Sequence, residues 1–89
     1  MTVSYRIEYR RAAARYLQRL SIPDRERILE AIESLAEDPN SRHLDVKKLR
    51  NRPGFRLRVG SFRILYERHD DRLLVLVVAI GPRGDAYKE

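Results

Sequence analysis

Cysteine is absent from this 89-residue chain. With it go a disulfide framework, a thiolate nucleophile and a thiolate metal site, and a cytoplasmic setting is expected over a secreted one. Histidine is scarce: His43 and His69 are the only two, and neither has a neighbour at ligand-like spacing, so no metal and no cofactor are expected. Long apolar runs are missing as well. The opening MTVSYRIEYRR lacks the core of a signal peptide, and the apolar stretch 73–80 is far too short to span a bilayer, so no membrane association is expected. There is no repeat and no low-complexity linker. A chain this short buries only about 60–65 % of its unfolded surface and cannot fill two cores, which makes residues 1–89 one domain with a thin core between two layers.

What the chain does have is positive charge. Nineteen Lys and Arg against thirteen Asp and Glu give a formal net charge of +6. That balance favours a polyanion or an acidic protein as partner without choosing between them. The distribution is more informative. Residues 47–63 hold Lys47, Lys48, Arg50, Arg52, Arg56, Arg58 and Arg63 and no acid, whereas Asp24, Glu26, Glu30, Glu33, Glu37 and Asp38 gather in one helical segment.

The periodicity outlines an α+β fold. Val3, Tyr5, Ile7 and Tyr9 alternate with polar residues, as in a half-buried strand. Ala13, Leu17 and Leu20 then recur at helical spacing over residues 11–20. Ser21, Pro23 and Asp24 are a helix-start signal, after which Ile28, Leu29, Ile32, Leu35 and Ala36 form one stripe that Asp38-Pro39-Asn40 closes. Residues 40–54 are turn-rich and basic. Beyond Pro53-Gly54, Phe55, Leu57 and Val59 alternate with Arg56 and Arg58, Gly60-Ser61 makes a two-residue hairpin turn, and residues 62–67 return. Asp70-Asp71 is a second, less typical turn before the apolar strand 73–80. The expected order is an N-terminal β-strand, a two-helix hairpin and a three-stranded antiparallel meander, with the helices packed on one face of the sheet.

The Gly60-Ser61 turn sets a register: Val59 opposite Phe62, Arg58 opposite Arg63, Leu57 opposite Ile64 and Arg56 opposite Leu65. Paired residues share a face, so Arg56, Arg58 and Arg63 meet on the side away from the helices. The reverse assignment would bury three unpaired guanidinium groups at several kcal/mol each. Like charges across a sheet repel. Their convergence points to a bound anion, and a phosphodiester suits the planar donor fork of arginine, the plainer reading being a solvated basic strand surface. With Asp70-Asp71 as the turn, Val78 falls opposite Arg63 and Leu76 opposite Leu65, lining the arginine face with apolar side chains. Such a strip should be covered by the C-terminal segment, a partner chain or nucleobases.

The block Phe55-Arg56-Leu57-Arg58-Val59-Gly60-Ser61-Phe62-Arg63-Ile64-Leu65-Tyr66, with Lys47-Lys48-Leu49 before it and Gly81-Pro82-Arg83-Gly84-Asp85-Ala86-Tyr87 after it, resembles the RelE/ParE superfamily of bacterial and archaeal toxins over nearly the whole chain. The resemblance, on its RelE-like branch, implies a toxin of a type II toxin-antitoxin system. Such a toxin is a ribosome-dependent messenger RNA endoribonuclease, working with messenger and ribosomal RNA in the A site of the 30S subunit and silenced by a cognate RelB-like antitoxin. By motif position, Arg56 and Arg58 match the basic pair of the first strand of the block, Arg63 the phosphate-contacting arginine, Arg83 the arginine after the last strand, and Tyr87 the tyrosine that stacks on a base. Pro82 departs from the pattern, standing where many relatives carry a basic residue or histidine. The ParE-like branch, which inhibits DNA gyrase, lacks the cleavage set. That branch and a catalytically silent RNA- or protein-binding module are the alternatives.

RNA can be cut without metal by its own 2′-hydroxyl, leaving a 2′,3′-cyclic phosphate and a 5′-hydroxyl, provided that geometry is in line and phosphoryl charge is stabilised. In that scheme Arg63 and Arg83 hold phosphates, Arg56 and Arg58 stabilise developing charge and help protonate the leaving oxygen, and Tyr87 orients a base. Lys47, Lys48, Arg50 and Arg52 are expected to grip RNA non-specifically. Glu67 and His69 are the candidate proton acceptors, against blander readings as an ion-pair partner and a polar turn residue. His43 is as readily a solvated linker residue as a phosphate contact. Tyr5, Tyr9 and Tyr66 read as packing residues.

Overall fold

The computed structural model describes residues 4–82. The strand β1 (Arg6–Tyr9) leads into helices α1 (Arg11–Arg19) and α2 (Ile22–Glu37). Strands β2 (Asp45–Lys48), β3 (Phe55–Val59), β4 (Phe62–His69) and β5 (Leu74–Pro82) follow, with one short 3-10 turn, Asp70–Arg72, between the last two. The five strands form one sheet in the order β1-β5-β4-β3-β2, antiparallel except for β1, which lies parallel to β5. This is the expected α+β arrangement with one more strand than expected. β2 lies within the stretch 40–54 that reads as linker, because its four residues give too brief an alternation of Val46 with Asp45 and Lys47.

The two helices are held as a hairpin by a feature that the periodicity does not reveal. Arg25, in the first turns of α2, donates from Nε to the Leu17 carbonyl at 2.9 Å and from Nη2 to the carbonyls of Gln18 and Leu20 at 3.1 and 3.2 Å. One guanidinium therefore engages three of the carbonyls at the α1 C-terminus. At the start of α2, Ser21 Oγ accepts from the Asp24 amide at 3.4 Å, with proline in the first turn, as expected for that cap. From the hairpin, Ala13, Leu17, Ile28, Ile32 and Leu35 pack on Leu57, Val59, Ile64, Tyr66, Val75, Val77 and Ile80 of the sheet. Tyr66 is buried in this layer, and desolvation pushes its phenol up to about 12. Tyr5 and Tyr9 are partly buried against the same core, so all three tyrosines face the helices.

The β3-β4 register is as expected from Gly60-Ser61, including Arg58 opposite Arg63 and Arg56 opposite Leu65. The β4-β5 register is not. Arg63 lies opposite Gly81 rather than Val78, and Leu65 opposite Ala79 rather than Leu76. Two local irregularities account for the shift. The connection is a 3-10 turn closed by Leu73 in the left-handed region (φ 49, ψ 52), not a two-residue turn, and a bulge between Leu65 and Tyr66 leaves Val78 unmatched on β5.

Candidate nucleic-acid interface

Alternation along the paired strands gives the face opposite the helices its residues. β2 contributes Asp45 and Lys47, β3 contributes Arg58 and Arg56, and β4 contributes Arg63, Leu65, Glu67 and His69. Lys47 pairs with Arg56 and Asp45 with Arg58, so four cations and one carboxylate share adjoining positions. Lys48 pairs with Phe55 and belongs to the other face. Arg50 and Arg52 are exposed in the loop between β2 and β3, and His43 is exposed ahead of β2, its amide donating to Ser41 Oγ at 3.2 Å. Arg83 and Tyr87 lie outside the described residues.

Arg56 departs from the expectation of a solvated side chain. It takes the expected face but is only 4 % exposed. Its Nη2 donates to Asp45 Oδ1 at 3.4 Å, and Nε and Nη1 are buried with no hydrogen-bond partner among the described residues. Asp45 also reaches Arg58, Oδ2 to Nη1, at 3.8 Å, and Arg58 Nε is likewise buried with no hydrogen-bond partner among the described residues. Both separations are long for a charge-assisted bond, which prefers about 2.7–2.9 Å. Asp45 thus offsets part of the positive charge while leaving buried N–H groups that an anion can satisfy. Its only sequence signal is its place two residues before Lys47 in a four-residue alternation.

Glu67 and His69 come together on this face, Glu67 Oε1 and His69 Nε2 lying 3.0 Å apart. They are four and six strand residues from Arg63, which at about 3.3 Å per residue is roughly 13 and 20 Å along β4. Glu67 lies diagonally across from Arg56, whereas His69 lies at the end of the strand beside Leu74.

The apolar strip expected on this face is present, in altered register, and part of it is covered by a segment of the chain not considered for that role. Leu65 is 2 % exposed. Over it, the β2-β3 loop turns back through a hydrogen bond from the Leu49 amide to the Gly54 carbonyl at 3.0 Å and buries Leu49 to 6 % exposure. Gly54 makes the approach feasible: its φ is +113, and a Cβ there would stand 2.8 Å from the Tyr66 carbonyl oxygen. Beneath the loop is a pocket of about 250 Å³ lined by Leu49, Arg52, Pro53, Leu65, Tyr66, Glu67 and Val78. Among the described residues no group of three or more His, Cys, Asp or Glu is placed to hold a metal ion, and no helix is long and apolar enough to cross a membrane.

The family model described as the ParE toxin of type II toxin-antitoxin systems matches residues 5–87. A putative RelE-like toxin protein of Escherichia coli is 24 % identical over 85 residues, covering 93 % of this chain and 90 % of that protein. Among solved structures, the archaeal RelE-RelB complex from Pyrococcus horikoshii contains a chain that superposes with a TM-score of 0.79 at 26 % identity, over 94 % of this chain and 100 % of its own. The toxin-antitoxin complex RelBE2 of Mycobacterium tuberculosis contains one with a TM-score of 0.78 at 26 % identity, over 96 % and 98 %. The chain is therefore a member of the ParE toxin family of type II toxin-antitoxin systems, on the RelE-like branch of the RelE/ParE superfamily.

Proposed function

We propose that this toxin is a messenger RNA endoribonuclease that acts on the ribosome and needs no metal for the chemical step. The observation that carries the reading is the meeting of Arg56, Arg58 and Arg63 on the open face of the sheet, with Arg56 and Arg58 holding buried N–H groups that have no partner among the described residues. A solvated basic surface would not bury such groups. A phosphodiester seated there satisfies them.

Arg63, together with Arg83, holds the scissile and neighbouring phosphates. Arg56 and Arg58 stabilise the charge that builds on the phosphoryl oxygens as the 2′-hydroxyl attacks and gives its proton to solvent water, and they help protonate the leaving 5′-oxygen, water returning the proton to the guanidinium. Arginine stays charged at neutral pH, so it serves these roles well and serves poorly as a base. Tyr87 stacks on or orients a base. Lys47, Arg50 and Arg52 grip RNA through its phosphates, whereas Lys48 lies on the other face of β2. His69 is too distant along β4 to take a proton at the phosphate held by Arg63, so catalysis rests on electrostatics and on the ribosome's positioning of the messenger. The regulating partner is a RelB-like antitoxin, in keeping with the RelE-RelB complex of the Pyrococcus relative. An acidic segment of that partner lying along the arginine face would neutralise it.

The test is end chemistry on ribosome-bound messenger. The expected result is in-frame cuts bearing 2′,3′-cyclic phosphate and 5′-hydroxyl ends, lost with Arg63→Ala. The ParE name of the matching family keeps gyrase inhibition as the second reading. Intact transcripts together with blocked DNA supercoiling would establish it and overturn the first.

A further inference from the structure

The pocket beneath the β2-β3 loop adjoins the arginines without belonging to them. Its lining includes Leu65 and Val78 from the sheet and Leu49 and Pro53 from the loop, with the two charged side chains Arg52 and Glu67. Leu65 is the cross-strand partner of Arg56, so the pocket begins one residue pair from the proposed phosphate seat. At about 250 Å³ it lies below the roughly 300–1,000 Å³ of sites that engulf a drug-sized ligand, a size suited to a single ring system. An apolar bed beside an arginine cluster fits one flat, partly polar group tethered to a phosphate, which describes an unstacked nucleobase.

Which base follows from Glu67. A carboxylate accepts hydrogen bonds and donates none. Oε1 is held by His69 at 3.0 Å, which fixes the plane of the group and leaves Oε2 and a second lone pair of Oε1 for a ligand. Guanine offers two adjacent donors on its Watson-Crick edge, N1–H and the 2-amino group, and so matches both oxygens. Adenine and cytosine offer one donor beside a repelling acceptor, and uracil offers one donor between two carbonyls.

We infer that the Leu65-Val78-Leu49 pocket is a base-specificity subsite that takes a guanine next to the cleaved phosphate, with Glu67 reading its Watson-Crick edge and Arg52 covering its face. The inference rests on RNA lying along the arginine face. It assigns Glu67 to recognition, in keeping with a position about 13 Å along the strand from Arg63.

The experiment is equilibrium binding of the full chain to 2′-O-methyl pentanucleotides, which cannot be cut: UUGUU, UUAUU, UUCUU and UUUUU, by fluorescence anisotropy. The wild type is expected to bind UUGUU about tenfold more tightly than UUUUU, the size of discrimination that a bidentate base contact gives. Glu67→Gln replaces one acceptor by a donor and so matches adenine instead. It is expected to lose the guanine preference and bind UUAUU at least as well as UUGUU, with an unchanged circular dichroism melt. Equal binding of all four by the wild type, or a guanine preference that survives Glu67→Gln, overturns the subsite while leaving the arginine cradle standing. A guanine preference with affinity insensitive to Arg63→Ala overturns the cradle and keeps the subsite. Binding of none of the four overturns both.

Discussion

Arg56 carries two demands that pull against each other. It is buried to 4 % exposure beside a single carboxylate 3.4 Å away, an arrangement in which desolvation exceeds what one long ion pair returns. The same unsatisfied nitrogens are what an RNA phosphate would engage. Arg56→Met should therefore fold at least as stably as the wild type, with a melting temperature equal or higher, while messenger cleavage falls by about 10²-fold or more. Thermal unfolding and cleavage assays on one preparation check both halves, and a large fall in melting temperature would show that the guanidinium supports the fold. Tyr66 provides a second check at this scale. Its folded pKa, about 12, lies above the ordinary 10.0, so its neutral form is favoured in the native state. The resulting stability is complete below pH 10 and is lost as pH rises from about 10 to 12. Tyr66→Phe should flatten that alkaline limb of the stability curve, measured by denaturant unfolding at several pH values.

Two elements set the geometry of the face, the helical hairpin and the β4-β5 connection. Removing the three carbonyl contacts of Arg25 with Arg25→Ala should cost about 1–2 kcal/mol, seen as a melting temperature lower by roughly 5–10 °C, because the end of α1 loses its cap. At the connection, Leu73 holds φ 49 with its side chain 41 % exposed, so it pays for a left-handed backbone with little burial in return. Leu73→Gly should stabilise the chain by about 0.5–1 kcal/mol in chemical denaturation. Beside it, Asp70 accepts from Arg68 Nε at 2.6 Å and from the Tyr5 hydroxyl at 2.9 Å, and these bonds hold its carboxyl below the ordinary value. The stability this gives is present above the unfolded pKa and fades as pH falls through the lower folded one, so Asp70→Asn should blunt the acid limb alone. Much of this scale was legible in the residues. Ser21, Pro23 and Asp24 marked α2, and glycine at position 60 fixed the β3-β4 register, because turn chemistry and two-residue alternation are local. The three-residue shift of β4 against β5 was not, since a bulge and a left-handed leucine are decided by packing on both faces of β5. Nor was Asp45, whose strand is four residues long and whose role depends on a partner eleven residues away.

At the scale of the whole molecule, charge is partitioned by the fold. Acids gather on α2 behind the sheet, while Arg56, Arg58, Arg63 and Lys47 converge on the opposite face, with Asp45 paired to the arginines and Glu67 diagonal to Arg56. Affinity for single-stranded RNA should therefore fall with salt, with a slope of about −0.7 for each phosphate engaged, and Lys47→Ala should make the slope shallower by roughly that amount. The face was foreseeable from alternation alone. Its roof was not, because the Leu49 loop closes only where Gly54 passes against the Tyr66 carbonyl. The most direct measurement is an arginine Nε–Hε spectrum of the full chain during titration with a non-cleavable 2′-O-methyl oligonucleotide. The resonances of Arg56, Arg58 and Arg63 should shift together at one affinity as their guanidinium groups close on a phosphate. Shifts confined to Arg50, Arg52 and other loop arginines, with those three unmoved, would contradict a phosphate site on the sheet.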